Sequence, residues 1–417
     1  MRIVYLHQYF VTPQMAGGSR SYEMARRLVA AGHEVHMVTS DREAADPKLA
    51  WRHTVESGVH VHWTPVAYDN SMGYGERLRA FLRFAWRATR KAVALRGEVV
   101  FATSTPLTIA IPAVYAARRL RVPMVFEVRD LWPEVPIAIG AIRNPALIWA
   151  ARRLERFAYR NASRVVALAP GMRDSVVATG YPGERVAVIP NGCDLDLFAD
   201  PDAGRRLREH FSWLGSRPLL VFTGTFGIVT GTDYLVRVAA SIARIDSEVR
   251  IVAVGGGREF DRTRQLAQDL GVLDKNLFLP GKVRRPEAVA WTHAADMTIA
   301  LLTGPEVVWR DAVQNKFFDS LAAGKPVANN FRGWQSELAV AAGAGLIVSP
   351  SDVDAAARDL VRALRDRDWL EKAGRAAREL ASRQFNRDSL AVELERILLE
   401  VYPQTSSVRK PRRVIPV

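Results

Sequence analysis

Short apolar runs alternate with helix-forming segments along this chain, and the alternation runs through twice. In the first half, residues 2–10 (RIVYLHQYF) read as a strand, and residues 21–31 as a helix stopped by Gly32. Strands follow at 33–39 (HEVHMVT), 59–65, 99–102, 124–128, 163–169 and 186–190. The second half repeats the scheme with strands at 218–224, 250–255, 276–281, 296–302 and 325–329. Strands separated by helices predict parallel sheets covered on both faces. At 417 residues the chain is too long for a single core. It divides into a first domain over 1–190, a second over 191–402 whose last helix could return to the first, and a basic tail over 403–417. Asn191–Gly192 is the turn signal at the crossover. The expected fold class is therefore α/β, two Rossmann-like doubly wound sheets facing a cleft, with ligands beyond the carboxyl ends of the strands.

Composition narrows the function classes. The single cysteine, Cys193, excludes an internal disulfide and fits a reducing compartment. The N-terminus reads as a strand and not as a signal peptide. The longest apolar run, 106–117, is broken by Thr108 and Pro112 and is too short to span a bilayer. The formal net charge of +14 is uneven. Residues 1–190 hold 26 Lys and Arg against 15 Asp and Glu, a balance of +11, whereas 191–408 balance at −1 and the last nine residues add +4. Such a basic face suits anionic lipid or a phosphorylated partner, or is simply solvated. Nucleic acid is not an expected partner, because no recognised binding module accompanies the charge.

The stretch DAVQNKFFDSLAAGKP, 311–326, carries the densest chemistry. Asp311 and Asp319 lie eight positions apart around a short amphipathic helix, which Gly324 stops and Pro326 prevents from resuming. Eight residues is a little over two turns, so both carboxylates can border one cleft, and the helix N-terminus attracts anions. An acidic cap followed by a solvent-facing Asp would explain the same spacing. Two glycine loops add to this. Gly17–Gly18 precedes a helix after the first strand, and Gly255–Gly256–Gly257 occupies the matching place in the second half. Glycine there permits close backbone approach to a ligand, or merely a tight turn. No GxGxxG follows the first strand, so a dinucleotide site is not expected.

With these pieces placed, the chain resembles the retaining GT-B glycosyltransferases of glycosyltransferase family 4 over essentially its whole length. The matching landmarks are Gly17–Gly18, VIPNGCD (188–194) with Phe198, FTGTFG (222–227), AVGGG (253–257) and Asp319 within FFDSLAAGKPV. The segments FATSTP (101–106) and VRDLWPE (128–134) resemble the branch typified by bacterial N-acetyl-L-fucosaminyltransferases of O-antigen synthesis, the WbuB-like enzymes.

The resemblance implies that the second domain binds a nucleotide-sugar and the first an acceptor. Asp311 and Asp319 fall where the family has an E-x7-E pair, the first near the sugar and the second on the ribose hydroxyls. Gly224, Thr225, Gly227, Gly255, Gly256, Gly257, Asn315 and Lys316 fall at donor-contacting positions, and Gly17 and Gly18 on the acceptor or phosphate loop. Arg129 and Asp130 lie at a strand end facing the reacting sugar, where Asp130 orients Arg129 or the acceptor hydroxyl, or the two form a structural ion pair. The family's Arg-x4-Lys pair for the leaving diphosphate is replaced by Thr225 and Thr230, neither of which carries charge. Lys316 and backbone amides are the expected substitutes. No catalytic base is expected and no cofactor, the nucleotide-sugar being a substrate, and no His, Cys and Asp cluster has metal-ligand spacing.

Residues 76–96 (ERLRAFLRFAWRATRKAVALR) read as one amphipathic helix. Leu78, Phe81, Leu82, Ala85, Thr89, Ala92 and Val93 form an apolar arc opposite Arg79, Arg83, Arg87, Arg90 and Lys91, with Phe84 expected among the arginines. Core packing explains most of this pattern, while an exposed Phe among arginines suits docking on an anionic membrane.

The resulting expectation is a cytoplasmic enzyme, peripheral on the inner face of the plasma membrane. It would move a sugar, such as an N-acetylated deoxyhexose, from a UDP-sugar to a polyprenyl-diphosphate-linked saccharide in bacterial O-antigen, capsule or exopolysaccharide synthesis. A sugar-nucleotide epimerase of the same architecture and a catalytically silent partner protein are the alternatives.

Overall fold

The computed structural model describes residues 1–15, 17–42, 51–68 and 72–402. The basic tail and any second membrane contact from it lie outside the described residues. The first sheet contains β1 (Arg2–Leu6), β2 (Glu34–Asp41), β3 (Arg52–Glu56), β4 (Val59–Pro65), β5 (Val99–Thr103), β6 (Met124–Val128), β7 (Arg164–Ala167) and β8 (Val186–Val188). Their order is β3-β4-β2-β1-β5-β6-β7-β8. All neighbours are parallel except β3 and β4, which form an edge hairpin. That hairpin is unforeseen in the sequence reading. Ser57 and Gly58 turn it with φ of 49° and 81°, a left-handed pair suited to a two-residue connection.

The second sheet contains β9 (Leu219–Thr225), β10 (Arg250–Gly256), β11 (Leu277–Gly281), β12 (Met297–Ala300), β13 (Val327–Asn329) and β14 (Gly345–Ile347). Its order is β11-β10-β9-β12-β13-β14, entirely parallel. Strand order reverses between β9 and β12, which places the switch point of this sheet at their carboxyl ends.

Central strands are apolar on both sides because helices cover both faces. One face of the first sheet, through Val4, Leu6, Val100 and Phe126, meets the helices Tyr74–Ala94, Ala110–Leu120 and Pro145–Asn161. The other face, through Ile3, Tyr5 and Phe101, meets the helices Arg20–Ala30 and Arg387–Val401. The last helix thus returns to the first domain and buries Ala391, Leu394, Ile397 and Leu398 there.

Two arginines secure this crossover. Arg20 is buried and gives Glu127 Oε1 two hydrogen bonds of 3.0 and 2.8 Å, while also donating to the carbonyls of Ile189, at 2.9 Å, and Pro190. Thr103 Oγ1 donates to the other Glu127 oxygen at 2.6 Å, so the buried carboxylate is well satisfied. Where the chain crosses back, Arg387 at the start of the last helix donates to the carbonyl of Gly192 at 2.9 Å and pairs with Asp194. The backbones of Cys193 and Phe385–Arg387 hydrogen-bond alongside.

The Tyr74–Ala94 helix corrects an expectation. Phe84 does not sit among the arginines; it is fully buried with Ala80, Ala88 and Ala92. Leu78 and Leu82, assigned to the core arc, are 43% and 50% exposed, with Trp86 60% exposed beside them. The physical reason is that this helix packs inward through alanines, Ala80, Ala85, Ala88 and Ala92, with Phe81 and Phe84 filling the space they leave. Phe81, Ala85 and Ala92 of the expected arc are buried, so the true contact is that arc turned toward Ala80, Phe84 and Ala88 and away from Leu78 and Leu82.

Candidate functional site

The cleft between the domains is built from strand ends. In the first domain, β6 ends at Val128 and presents Arg129, whose backbone N–H donates to Ser104 Oγ at 3.1 Å. Its guanidinium Nη1 donates to His7 Nε2, 3.3 Å away at the end of β1. Asp130 does not orient Arg129 as expected: it accepts from Thr105 Oγ1 at 2.7 Å, and no Arg129–Asp130 ion pair is found among the described residues. The segments 101–106 and 128–134 therefore meet, each fixing one residue of the other.

His7 is buried, and both burial and the neighbouring charges of Arg129 and Arg42 hold its pKa well below the ordinary histidine value. It stays neutral, as an acceptor for Arg129 must be. Sequence reasoning missed His7; the available signal was a polar His-Gln pair closing an otherwise apolar strand.

Across the cleft stands the helix Asn315–Ala322. Gln314 enters it in extended conformation and no side chain caps it, so its first amides remain available to an anion. A Cβ added to Gly18 would lie 3.2 Å from Asn315 Nδ2 and 3.7 Å from Arg129 Nη2. The structure thus brings Gly18 and Arg129 of one domain to Asn315 of the other. Gly17, at φ +144°, packs against Val11 in the same loop.

Lys316 is the next residue inward. It is half-buried, with its ammonium 4.0 Å from the centre of the Phe222 ring. Its Cε and Nζ both lie 2.9 Å from where a Cβ on Gly224 would stand, so only glycine admits the lysine there. Burial lowers the Lys316 pKa to about 7. Thr225 is exposed beside it. Thr230 points inward, where its hydroxyl donates to the Thr225 carbonyl at 2.9 Å and ties the β9 loop to itself.

The two carboxylates of the 311–326 stretch have separate surroundings. Asp311 is buried, accepts from Arg310 Nε at 3.0 Å, and faces Gly171 of the first domain so closely that a Cβ there would come 1.9 Å from Oδ1. Asp319 is gripped by Arg285, whose two terminal nitrogens donate to its two oxygens at 2.8 and 2.7 Å. The Asp319 charge is the main reason the Arg285 pKa rises, against the opposing effect of burial.

The second glycine loop has a packing role that the sequence did not reveal. An added Cβ would fall 1.8 Å from the Gly224 carbonyl at Gly255 and 2.5 Å from the Phe226 carbonyl at Gly257. At Gly256 it would fall 2.8 Å from the Lys282 side chain. The triplet lets the β10 loop lie directly on the β9 loop. Gly227 lies on the wall of a cavity of about 720 Å³ at the carboxyl ends of β9 and β12, with Tyr234, Arg262, Trp309, Phe331 and Arg332. No described group of three or more His, Cys, Asp or Glu is arranged to hold a metal ion.

Comparison with known proteins bears on the family and the fold. The Glycosyl transferase 4-like domain model matches residues 16–192, and the Glycosyl transferases group 1 model matches residues 217–366. The chain is 29% identical over 300 residues to a GDP-mannose-dependent alpha-(1-6)-phosphatidylinositol monomannoside mannosyltransferase of Mycobacterium tuberculosis, covering 71% of this chain and 74% of the relative. It is 27% identical to a D-inositol 3-phosphate glycosyltransferase of Xylanimonas cellulosilytica, covering 95% and 94%. The crystal structure of Anabaena HepE in complex with UDP shares the fold at a TM-score of 0.70 and 17% identity, over 96% of this chain and all of that one. Two domain models in tandem, curated relatives and a shared architecture agree: the chain belongs to the family 4, group 1 glycosyltransferases of GT-B fold.

Proposed function

We propose that this glycosyltransferase is retaining and metal-independent, and that it transfers a sugar from a UDP-sugar to a lipid-linked saccharide at an anionic membrane. The observation that carries the donor half is Lys316, set into the space left by Gly224 at the uncapped start of the Asn315–Ala322 helix. Transfer breaks the bond from the sugar's anomeric carbon to the β-phosphate oxygen, and the negative charge gathers on the leaving diphosphate. Lys316 and the first helix amides meet that charge in place of the family's Arg-x4-Lys pair, with Arg129 reaching from the facing domain. The acceptor oxygen bonds to the same face of the anomeric carbon, and its proton passes to the departing phosphate. Asp311 borders the sugar end of the cleft. Asp319 offers its remaining lone pairs to the ribose hydroxyls beside Arg285. Relatives that use GDP-mannose and neighbours that bind UDP leave the choice of base to experiment.

The acceptor half rests on the outer surface of the first domain. No described helix is long and apolar enough to cross a membrane. Leu78, Leu82 and Trp86 nevertheless stand in line on the outward side of the Tyr74–Ala94 helix, among Arg79, Arg83 and Arg90. The Pro145–Asn161 helix fully buries only Ala158 and Tyr159, and turns Trp149 and Phe157 outward among Arg152, Arg153 and Arg156. Aromatic and basic residues mixed on exposed helices suit the headgroup region of an anionic leaflet, where each cation contributes about 1 kcal/mol. A polyprenyl-linked N-acetylated sugar acceptor and a donor such as UDP-N-acetylfucosamine, in surface-polysaccharide synthesis, complete the reading.

Calorimetric titration with UDP, then GDP, on wild type and on Asp319→Ala tests it. Selective UDP binding lost in the variant supports the reading. Absence of binding by either nucleotide would favour a silent partner protein, since the diphosphate pair is missing.

A further inference from the structure

We propose that His7 is the positioning residue for Arg129, holding its guanidinium toward the diphosphate end of the cleft. The inference rests on the reading of that cleft as the nucleotide site. A guanidinium can only donate, so the 3.3 Å contact from Arg129 Nη1 requires His7 Nε2 to be the acceptor and the ring proton to sit on Nδ1. His7 Nδ1 is buried and has no hydrogen-bond partner among the described residues. A side chain there for packing alone would do better without a nitrogen, because an unpaired buried donor is costly. What the imidazole supplies, and an apolar residue could not, is the Nε2 lone pair.

The surrounding geometry explains why Arg129 needs such a hold. Gly18 puts no side chain beside the guanidinium: a Cβ there would stand 3.7 Å from Arg129 Nη2 and 3.2 Å from Asn315 Nδ2, so that side offers Arg129 no packing. Its own backbone is fixed through Ser104, but the next residue, Asp130, is taken by Thr105 and gives it no anchor. Among the described residues, His7 is the one side chain that hydrogen-bonds the Arg129 guanidinium. Because the ring is kept neutral, the contact is attractive rather than a clash of two cations.

Two measurements decide this. The first needs no ligand: nitrogen-15 side-chain spectra of the intact protein should show His7 as the Nδ1–H tautomer from pH 5.5 to 8, with the Nε2 resonance moved by Arg129→Ala. An Nε2–H tautomer would overturn the proposal. The second is a double-mutant cycle on UDP affinity. Arg129→Ala and His7→Leu should each weaken binding roughly 10-fold, the order expected of one charge-assisted hydrogen bond, and the double variant no more than either. His7→Gln, which keeps an acceptor, should recover most of the loss. Additive losses, or a Gln variant no better than Leu, would show that His7 acts by packing alone and contradict the proposal. Wild-type protein that binds no UDP would instead overturn the nucleotide reading, with the tautomer still deciding the His7–Arg129 contact.

Discussion

Replacing Lys316 by Met should abolish a proton uptake that accompanies nucleotide binding. In the free protein the Lys316 ammonium lies against the Phe222 ring and its pKa is about 7. At pH 8, one unit higher, roughly nine-tenths of the population is neutral. A diphosphate beside the amine favours the charged form and raises its pKa by several units. Binding at pH 8 should therefore draw about 0.9 proton from solution, falling to about 0.5 at pH 7 and to almost none by pH 6. Because the free lysine must be protonated to bind, wild-type UDP affinity should also fall as pH rises above 7, by up to tenfold per unit. Titrating UDP in phosphate and in Tris, whose ionisation enthalpies differ widely, gives the proton number as the slope of the observed heat. In Lys316→Met the slope should vanish and transfer should fall roughly 100- to 1000-fold, the usual cost of losing one aimed donor at the leaving group. A wild-type slope of zero at pH 8, the same slope in the variant, or unchanged turnover would each refute the assignment.

Other residues carry separate expectations. Gly171→Ala puts a Cβ where Asp311 Oδ1 now lies, so small-angle scattering should show a more open molecule, closing again in the Gly171→Ala, Asp311→Ser double variant. Arg20→Met strands the buried Glu127 carboxylate and should cost about 3–5 kcal/mol in urea denaturation, whereas a surface arginine such as Arg375 should cost almost nothing. Burial alone would raise the Glu127 pKa, but the charge and hydrogen bonds of Arg20 outweigh it and leave it lowered. That stabilisation is present above the ordinary glutamate range and lost as pH falls through the lowered value, so the gap between wild type and Glu127→Gln should close in acid. Trp86→Ser with Trp149→Ser, and separately Arg83→Ser with Arg87→Ser, should release the protein from phosphatidylglycerol vesicles in flotation assays. Undiminished binding would remove the membrane element of the reading.

The fold was legible because its strands are buried on both faces, and near-continuous apolar runs such as residues 2–6 and 124–128 announce themselves. The β3 strand was not, since Arg52–Glu56 is a half-exposed edge with charges at both ends. At the cleft, the 311–326 stretch announced a helix and its stop, and Lys316 could be named as a substitute cation. What the spacing could not convey was direction. Asp311 and Asp319 are eight residues apart on paper, yet one faces Gly171 across the domain seam and the other is bound by Arg285, a residue 34 positions upstream. Nor could a glycine triplet declare whether it makes room for a ligand or for a neighbouring loop. Gly255 and Gly257 make room for the carbonyls of Gly224 and Phe226, and that pairing exists only once β10 lies beside β9. His7 and Arg129 are 122 residues apart and meet only because β1 and β6 flank β5.

The most direct test of the donor site is a crystal structure of the protein with UDP. The account predicts the β-phosphate within hydrogen-bonding distance of Lys316 Nζ and the amides of Asn315 and Lys316, with the ribose against Asp319. A diphosphate bound instead in the cavity walled by Arg262, Trp309 and Arg332, with Lys316 still packed on Phe222, would contradict it.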